Sequence, residues 1–262
     1  MDNYVTQLGS HLSISRYFFA SQFVRGKVVL ELGSGYGNGC NFMVNKGALA
    51  VIGGDIDLKL IEYATTNYHQ DNLYFSILDA VQLPFRSGSV DVITAFEIIE
   101  HLERQEDFLR ECARVLKKGG LLLCSTPNRE VFSAGDTPWY PDHVREFTIA
   151  DFHETLSENF SQPLLYGIYP AYAYGQKERA LDKAINRRKG KVESFLISSL
   201  ARYKLLKVVN SIIWLVAPQF RSLKRKDFDR EFKKTLAHEY QPYLLREGAE
   251  PPLDMIAIAT VV

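Results

Sequence analysis

The turn Glu31-Leu32-Gly33-Ser34-Gly35-Tyr36-Gly37-Asn38-Gly39 constrains the fold of this chain more than any other feature. It follows a short β-branched run, Lys27–Leu32, and precedes a stretch of helical character, Asn38–Lys46. Glycines at a strand-to-helix turn let the backbone pass close to a ligand, and only glycine reaches the required backbone angles at no steric cost. The same alternation continues for about 120 residues. Leu49–Gly54, Leu73–Leu78, Val90–Phe96 and Leu121–Ser125 read as strands. Leu58–His69 and Glu103–Leu116 read as helices between them, the latter closed by Lys117-Lys118-Gly119-Gly120. Strands separated by single helices imply parallel crossovers and a doubly wound α/β sheet with helices on both faces.

The spacing of the glycines decides what the turn holds. A dinucleotide fold needs GxGxxG to receive a pyrophosphate at a helix N-terminus. Here glycines fall at 33, 35, 37 and 39, and Asn38 stands where the third would be. Glu31, two residues before Gly33, is also wrong for a pyrophosphate. It suits a ligand bearing cationic groups, such as S-adenosylmethionine (SAM), which carries an ammonium and a sulfonium and no phosphate. Asp55 ends the second strand, where an acidic side chain accepts from ribose hydroxyls, and Ile56 can lie against an adenine face. Asp57 reads as the N-cap of the next helix. Asp79-Ala80, after the third strand, can pair with the adenine amino group and ring.

The segments VLELGSGYG, GGDID, LDAVQLPF, VDVITAFEIIEHL and RVLKKGGLLLCSTPN, in that order, resemble class I SAM-dependent methyltransferases. Within these the chain is similar to a bacterial group found with glycan biosynthesis and to ubiquinone-pathway O-methyltransferases. The resemblance spans about residues 10–175. It implies a seven-stranded, mostly parallel, Rossmann-like sheet whose last strand, Leu253–Val262, runs antiparallel. It also implies that Glu31, Gly33, Ser34, Gly35, Asp55, Ile56, Asp79, Ala80 and Phe96 surround SAM.

A second set of residues follows the fourth strand. In Glu97-Ile98-Ile99-Glu100-His101, positions i, i+3 and i+4 share one face if the piece is helical. His143 lies in a long Pro- and aromatic-rich loop, Ser125–Thr148, and can reach over it. Glu97, Glu100, His101 and His143 are therefore the candidate ligands of a divalent cation, Mg²⁺ or Mn²⁺. The arrangement is similar to the metal site of small-RNA 2′-O-methyltransferases. Its bland alternative makes Glu100 a helix-start carboxylate and His101 a packed histidine. Without metal, His101 or His143, with Glu100 beside them, are the candidate catalytic acid–base groups.

Composition narrows the partners. At 46% hydrophobic and 24% charged the chain can bury a sizeable core. The 31 basic and 31 acidic residues cancel, so the chain as a whole does not favour nucleic acid. Residues 177–234, however, hold 17 Lys/Arg against 6 Asp/Glu, leaving 14 against 25 elsewhere. The expected organisation is an N-terminal lid helix (1–26), a SAM-binding core (27–176), a basic helical insertion (177–235) and a return to the core (236–262). The insertion is a candidate contact for an anionic membrane surface or for a homodimer partner. Three cysteines without CxxC spacing, Cys40, Cys112 and Cys124, suggest reduced thiols. With no secretory leader read at the N-terminus, the expected location is cytoplasmic, with peripheral attachment to the inner membrane face as a variant. The expected acceptor is a sugar or glycan hydroxyl. The alternatives are a small aromatic or quinone-pathway hydroxyl, or a SAM-binding protein without catalysis.

Overall fold

A computed structural model of the chain describes residues 11–133, 138, 140–168, 242–244, 252 and 254–261. The chain divides into two units, residues 1–169 with 240–262 and residues 170–239. Every described residue lies in the first. The basic insertion at 177–235 and the first ten residues lie outside the described set.

In chain order the elements are α1 (His11–Ala20), β1 (Val28–Leu32), α2 (Asn38–Asn45), β2 (Ala50–Asp55), α3 (Leu58–Asn67), β3 (Leu73–Ile77) and β4 (Val90–Phe96). A 3₁₀ turn (Ile99–His101), α4 (Gln105–Val115), β5 (Leu116–Pro127), α5 (Arg129–Phe132), α6 (Ile149–Ser157), β6 (Ser161–Ile168), β7 (Pro242–Leu244) and β8 (Asp254–Thr260) follow. The sheet order is β3-β2-β1-β4-β5-β8-β6-β7. Seven of these strands make the expected sheet, and β7, three residues long, adds an edge beside β6. The β1–β5 pairs are parallel, whereas β8 runs antiparallel between β5 and β6. With neighbours on both sides, β8 is buried on both faces, which explains its near-continuous apolar run.

Strand alternation places the site. Leu30 and Leu32 of β1 pack into one apolar layer with Phe108, Leu109 and Cys112 of α4 and Phe152 and Leu156 of α6. Val29 points the other way, into a layer with Ala20 of α1 and Cys40 and Met43 of α2. Side chains alternate along a strand, so Glu31 shares Val29's face and meets α1 and α2. After β3 the chain returns to the far side of β1 to form β4. That reversal is the switch point at which open α/β sheets bind ligands, beyond the carboxyl ends of β1 and β4.

Two local expectations are corrected. Lys117-Lys118-Gly119-Gly120 does not cap a helix. α4 ends at Val115, and the four residues form an irregular start of β5. The register jumps from Val90↔Leu116 to Val92↔Leu121, with Gly119 at φ 73 inside the bulge. Lys117 Nζ pairs with Asp91 Oδ1 at 2.8 Å across it. The segment 97–101 is not an α-helical turn either. Only Ile99–His101 is helical, and Glu97 sits at φ 58, which ends any helical continuity from β4.

Candidate active site

The cofactor side is built at the ends of β1, β2 and β3. Gly33, Gly35 and Gly37 all have positive φ, so the turn needs glycine there. A Cβ on Gly35 would meet nothing within 4 Å, so the turn is open on that side. Ser34 donates its backbone N–H to Gly54 O, while its buried hydroxyl has no partner. Asp55 Oδ2 accepts from Gly35 N at 2.9 Å, and Oδ1 accepts from Asp57 N at 3.0 Å. These bonds fix the carboxylate against the turn and leave lone pairs for further donors. Asp57 caps α3 by accepting from Lys59 N. Ile56 is 74% exposed, an apolar side chain without a protein partner to cover it. Asp79 is exposed and accepts from Val81 N, while Ala80 packs on the core.

Glu31 is 2% exposed. Tyr17 Oη donates to its Oε1 at 2.5 Å and Cys40 Sγ to its Oε2 at 2.7 Å. Burial pushes the carboxyl up to about 7, against those two donors, which lower it. Tyr17 also stands edge-on to Phe96, with ring centres 5.4 Å apart. The N-terminal helix α1 thus covers the acidic residue of the glycine turn.

The candidate acceptor side is built at the ends of β4, β5 and β8. Glu97 Oε1 accepts from Ser125 Oγ at 2.8 Å, and Oε2 pairs with Arg16 at 2.9 Å. Arg16, buried on α1, also donates to Asp254 Oδ2 through Nε at 2.7 Å and pairs with it again through the guanidinium. Burial opposes the Arg16 charge, but Asp254 and Glu97 together hold its pKa above the usual value.

Glu100 is fully buried, and neither carboxylate oxygen has a hydrogen-bond partner. Burial, with Glu97 nearby, drives its pKa well up. Its backbone carbonyl accepts from Val144 N at 2.7 Å, which pins the 140s loop over the site. His101 Nδ1 lies 3.0 Å from the Asp142 carbonyl, and His143 Nδ1 lies 2.7 Å from Glu146 Oε1. The two imidazoles stand edge to face, 4.8 Å apart. Tyr140 stacks on His143 from the loop.

Glu100, His101 and His143 each offer a ligand atom within 4.8 Å of the others. The fourth expected ligand, Glu97, is not in that group, because Arg16 and Ser125 hold it. Sequence reasoning missed Asp254 and Glu146. Asp254 lies 238 residues from its partner Arg16, beyond any local pattern. Glu146 carried a usable signal, its i+3 spacing from His143. Cys40, Cys112 and Cys124 are free and buried, as the odd count suggests. Among the described residues no helix is long and apolar enough to cross a membrane.

A glycine turn at the switch point, with Asp55 at the end of β2 and Asp79 after β3, is the arrangement that the resemblance to SAM-dependent methyltransferases implies. Comparison with known proteins agrees. Residues 30–124 match the methyltransferase domain family. A probable S-adenosylmethionine-dependent methyltransferase of Mycolicibacterium smegmatis is 42% identical over 132 residues, 50% of each chain. A ubiquinone biosynthesis O-methyltransferase of Coxiella burnetii is 32% identical over 108 residues, 40% of this chain and 46% of that one. The chain spans about half the length of the curated relatives it matches. A solved SAM-dependent methyltransferase from Archaeoglobus fulgidus superposes with a TM-score of 0.56 at 16% identity, over 99% of this chain and 100% of that one. Residues 30–124 thus carry a sequence match to the methyltransferase domain family, on a fold shared with solved SAM-dependent methyltransferases.

Proposed function

We propose that the chain transfers the methyl group of SAM to a hydroxyl of a sugar- or glycan-type acceptor. One observation carries the reading. An open glycine turn and an acid–imidazole group stand at the carboxyl ends of the neighbouring strands β1 and β4. When bound, SAM supplies a methyl on a sulfonium, a strong leaving group. Reaction is then an in-line displacement: the oxygen–methyl bond forms, the methyl–sulfur bond breaks, and the hydroxyl proton departs. Alignment supplies most of the acceleration. Asp55 receives the ribose hydroxyls, Ile56 covers the adenine, and Gly33–Gly35 pass beneath the methionine part. Glu31 is the counter-charge for the ammonium once Tyr17 yields one of its oxygens.

The acceptor oxygen belongs beside Glu100, His101 and His143. With each Nδ1 engaged, the free ring atom is Nε2, and at His101 or His143 it can take the hydroxyl proton. The same three residues fit a divalent cation, because Glu100 presents two buried, unpartnered oxygens. Such an ion would draw two neighbouring acceptor oxygens together and lower the pKa of the attacking one. A quinone-pathway hydroxyl is the second reading, supported by the ubiquinone biosynthesis O-methyltransferase match. The basic segment 177–235 fits either case as a contact for an anionic membrane surface or an acidic carrier.

Calorimetry tests the donor. SAM should bind in the micromolar range, and Asp55→Ala should weaken it by about 1–3 kcal/mol, the cost of stranding hydrogen-bonded partners. NAD binding without SAM binding sinks the reading. Turnover screening against nucleotide sugars, glycans and catechols then separates the acceptors, and SAM binding without turnover on any of them favours a non-catalytic role.

A further inference from the structure

The four expected ligands made an oxygen-rich set suited to Mg²⁺ or Mn²⁺. The structure leaves three, and their chemistry differs. Two imidazoles and one carboxylate converge, while Glu97 is turned away. Glu97 is fixed along its whole length. Its backbone N–H donates to Ser125 O at 3.1 Å, its φ is 58, and both carboxylate oxygens are bound. Arg16 cannot easily release it, because Asp254 anchors the guanidinium from the opposite end of the chain.

The surroundings of the two histidines point the same way. Metal-bound histidine typically donates its second ring N–H to a carbonyl or carboxylate, which sets the tautomer and aims the other nitrogen. His101 has the Asp142 carbonyl for this purpose and His143 has the Glu146 carboxylate. Glu146 is itself buried and accepts from Ser133 Oγ. Glu100 supplies the third ligand with two oxygens that no protein donor reaches. The three ligand atoms lie within 4.8 Å of one another, the widest separation that two atoms about 2.4 Å from one ion can have.

Resting on the hydroxyl-methylation reading above, we infer that Glu100, His101 and His143 form a two-histidine, one-carboxylate site for a first-row transition-metal dication rather than Mg²⁺, with Arg16 withholding Glu97. Mg²⁺ demands near-octahedral oxygen ligation and sheds water reluctantly. Imidazole nitrogen favours the transition ions, whose affinity rises from Mn²⁺ through Co²⁺. Three ligands leave open positions for two acceptor oxygens, so the site both holds the ion and selects an acceptor with adjacent oxygens.

The probe is Co²⁺ added to the full chain after chelator dialysis, followed by its visible d–d absorption. One equivalent should bind and survive about 100-fold excess Mg²⁺, as the softer donor set requires. His101→Ala, at an exposed position, and Glu100→Gln should each weaken it at least about 10-fold, the lower bound for losing a ligand or its support. Glu97→Gln should leave the spectrum unchanged and alter the affinity far less than either ligand variant, because it removes a neighbouring charge and not a ligand. Displacement by equimolar Mg²⁺, or a loss with Glu97→Gln equal to that with Glu100→Gln, overturns the inference. Failure to take up Co²⁺ overturns it too, while SAM calorimetry on the same samples shows independently whether the methyl-transfer reading stands.

Discussion

The two sides of the cleft hold their carboxylates differently. On the β1–β3 side, Asp55 and Asp79 accept from backbone N–H groups no more than 20 residues away and remain partly open to solvent. On the β4–β8 side, Glu100 and Asp254 are buried, and the buried Arg16 links Asp254 to the half-buried Glu97. Glu100 and one oxygen of Asp254 lack partners altogether. The first arrangement is a preformed, partly solvated surface. The second stores unsatisfied charge, which costs free energy unless a proton or a cation arrives. On the reading proposed above, it is the part of the site that faces the acceptor.

The sharpest break in that comparison is Arg16→Met. Removing one partner of a buried ion pair leaves uncompensated charge and costs about 3–5 kcal/mol. Chemical denaturation should show a loss of that size, and Asp254→Asn in the same background should recover part of it. A loss below about 1 kcal/mol, the scale of an exposed pair, would mean the acceptor side is as open to water as the cofactor side.

A smaller effect crosses the boundary between the two sides. Glu31 belongs to the cofactor turn but is buried like the acceptor-side acids, with its carboxyl raised from 4.5 to about 7. Between those pH values the folded state keeps a proton that the unfolded state has lost. The contribution is therefore fully present below 4.5 and is lost as pH rises through about 7. The expected slope is about 1.4 kcal/mol per pH unit at most. Melting curves of the wild type and Glu31→Gln across this window should differ by that slope, with the variant the flatter. Saturating SAM, whose ammonium favours ionised Glu31, should offset the loss at the upper end. Parallel profiles with and without Glu31 would remove the residue from the account.

The same contrast explains what the sequence made legible. The glycine turn, Asp55 and the Asp57 cap depend on neighbours in sequence, and each stands where its spacing predicted. The Thr148–Asp151 capping box, which starts α6, is equally local. The positive φ at Glu97 is not written in its residue type, since a glutamate there reads as helix-compatible. Its withdrawal from the metal set needs Arg16, which in turn needs Asp254 at the far end of the chain. The Lys117–Gly120 bulge failed for a related reason. Basic residues and glycines suit a helix end, but pairing with β4 claimed them for the sheet.

The smallest effect tests whether the cofactor side is a surface made for binding rather than for folding. Ile56 is an aliphatic side chain at 74% exposure, directly after Asp55. An isolated exposed apolar residue contributes little to stability, because folding removes little of its surface from water. Stacked on an adenine, the same side chain would lose most of its remaining exposure. Ile56→Ala should therefore leave the melting temperature unchanged while weakening SAM by about 1 kcal/mol, the value of burying one or two methylene groups. Adenosine alone should lose the same amount, whereas methionine should lose nothing, because the contact concerns the base. Equal loss for adenosine and methionine would show that the substitution disturbs the turn as a whole. A drop in melting temperature with no change in affinity would show that Ile56 packs against protein in solution, and the adenine would have to lie elsewhere along the ends of β2 and β3.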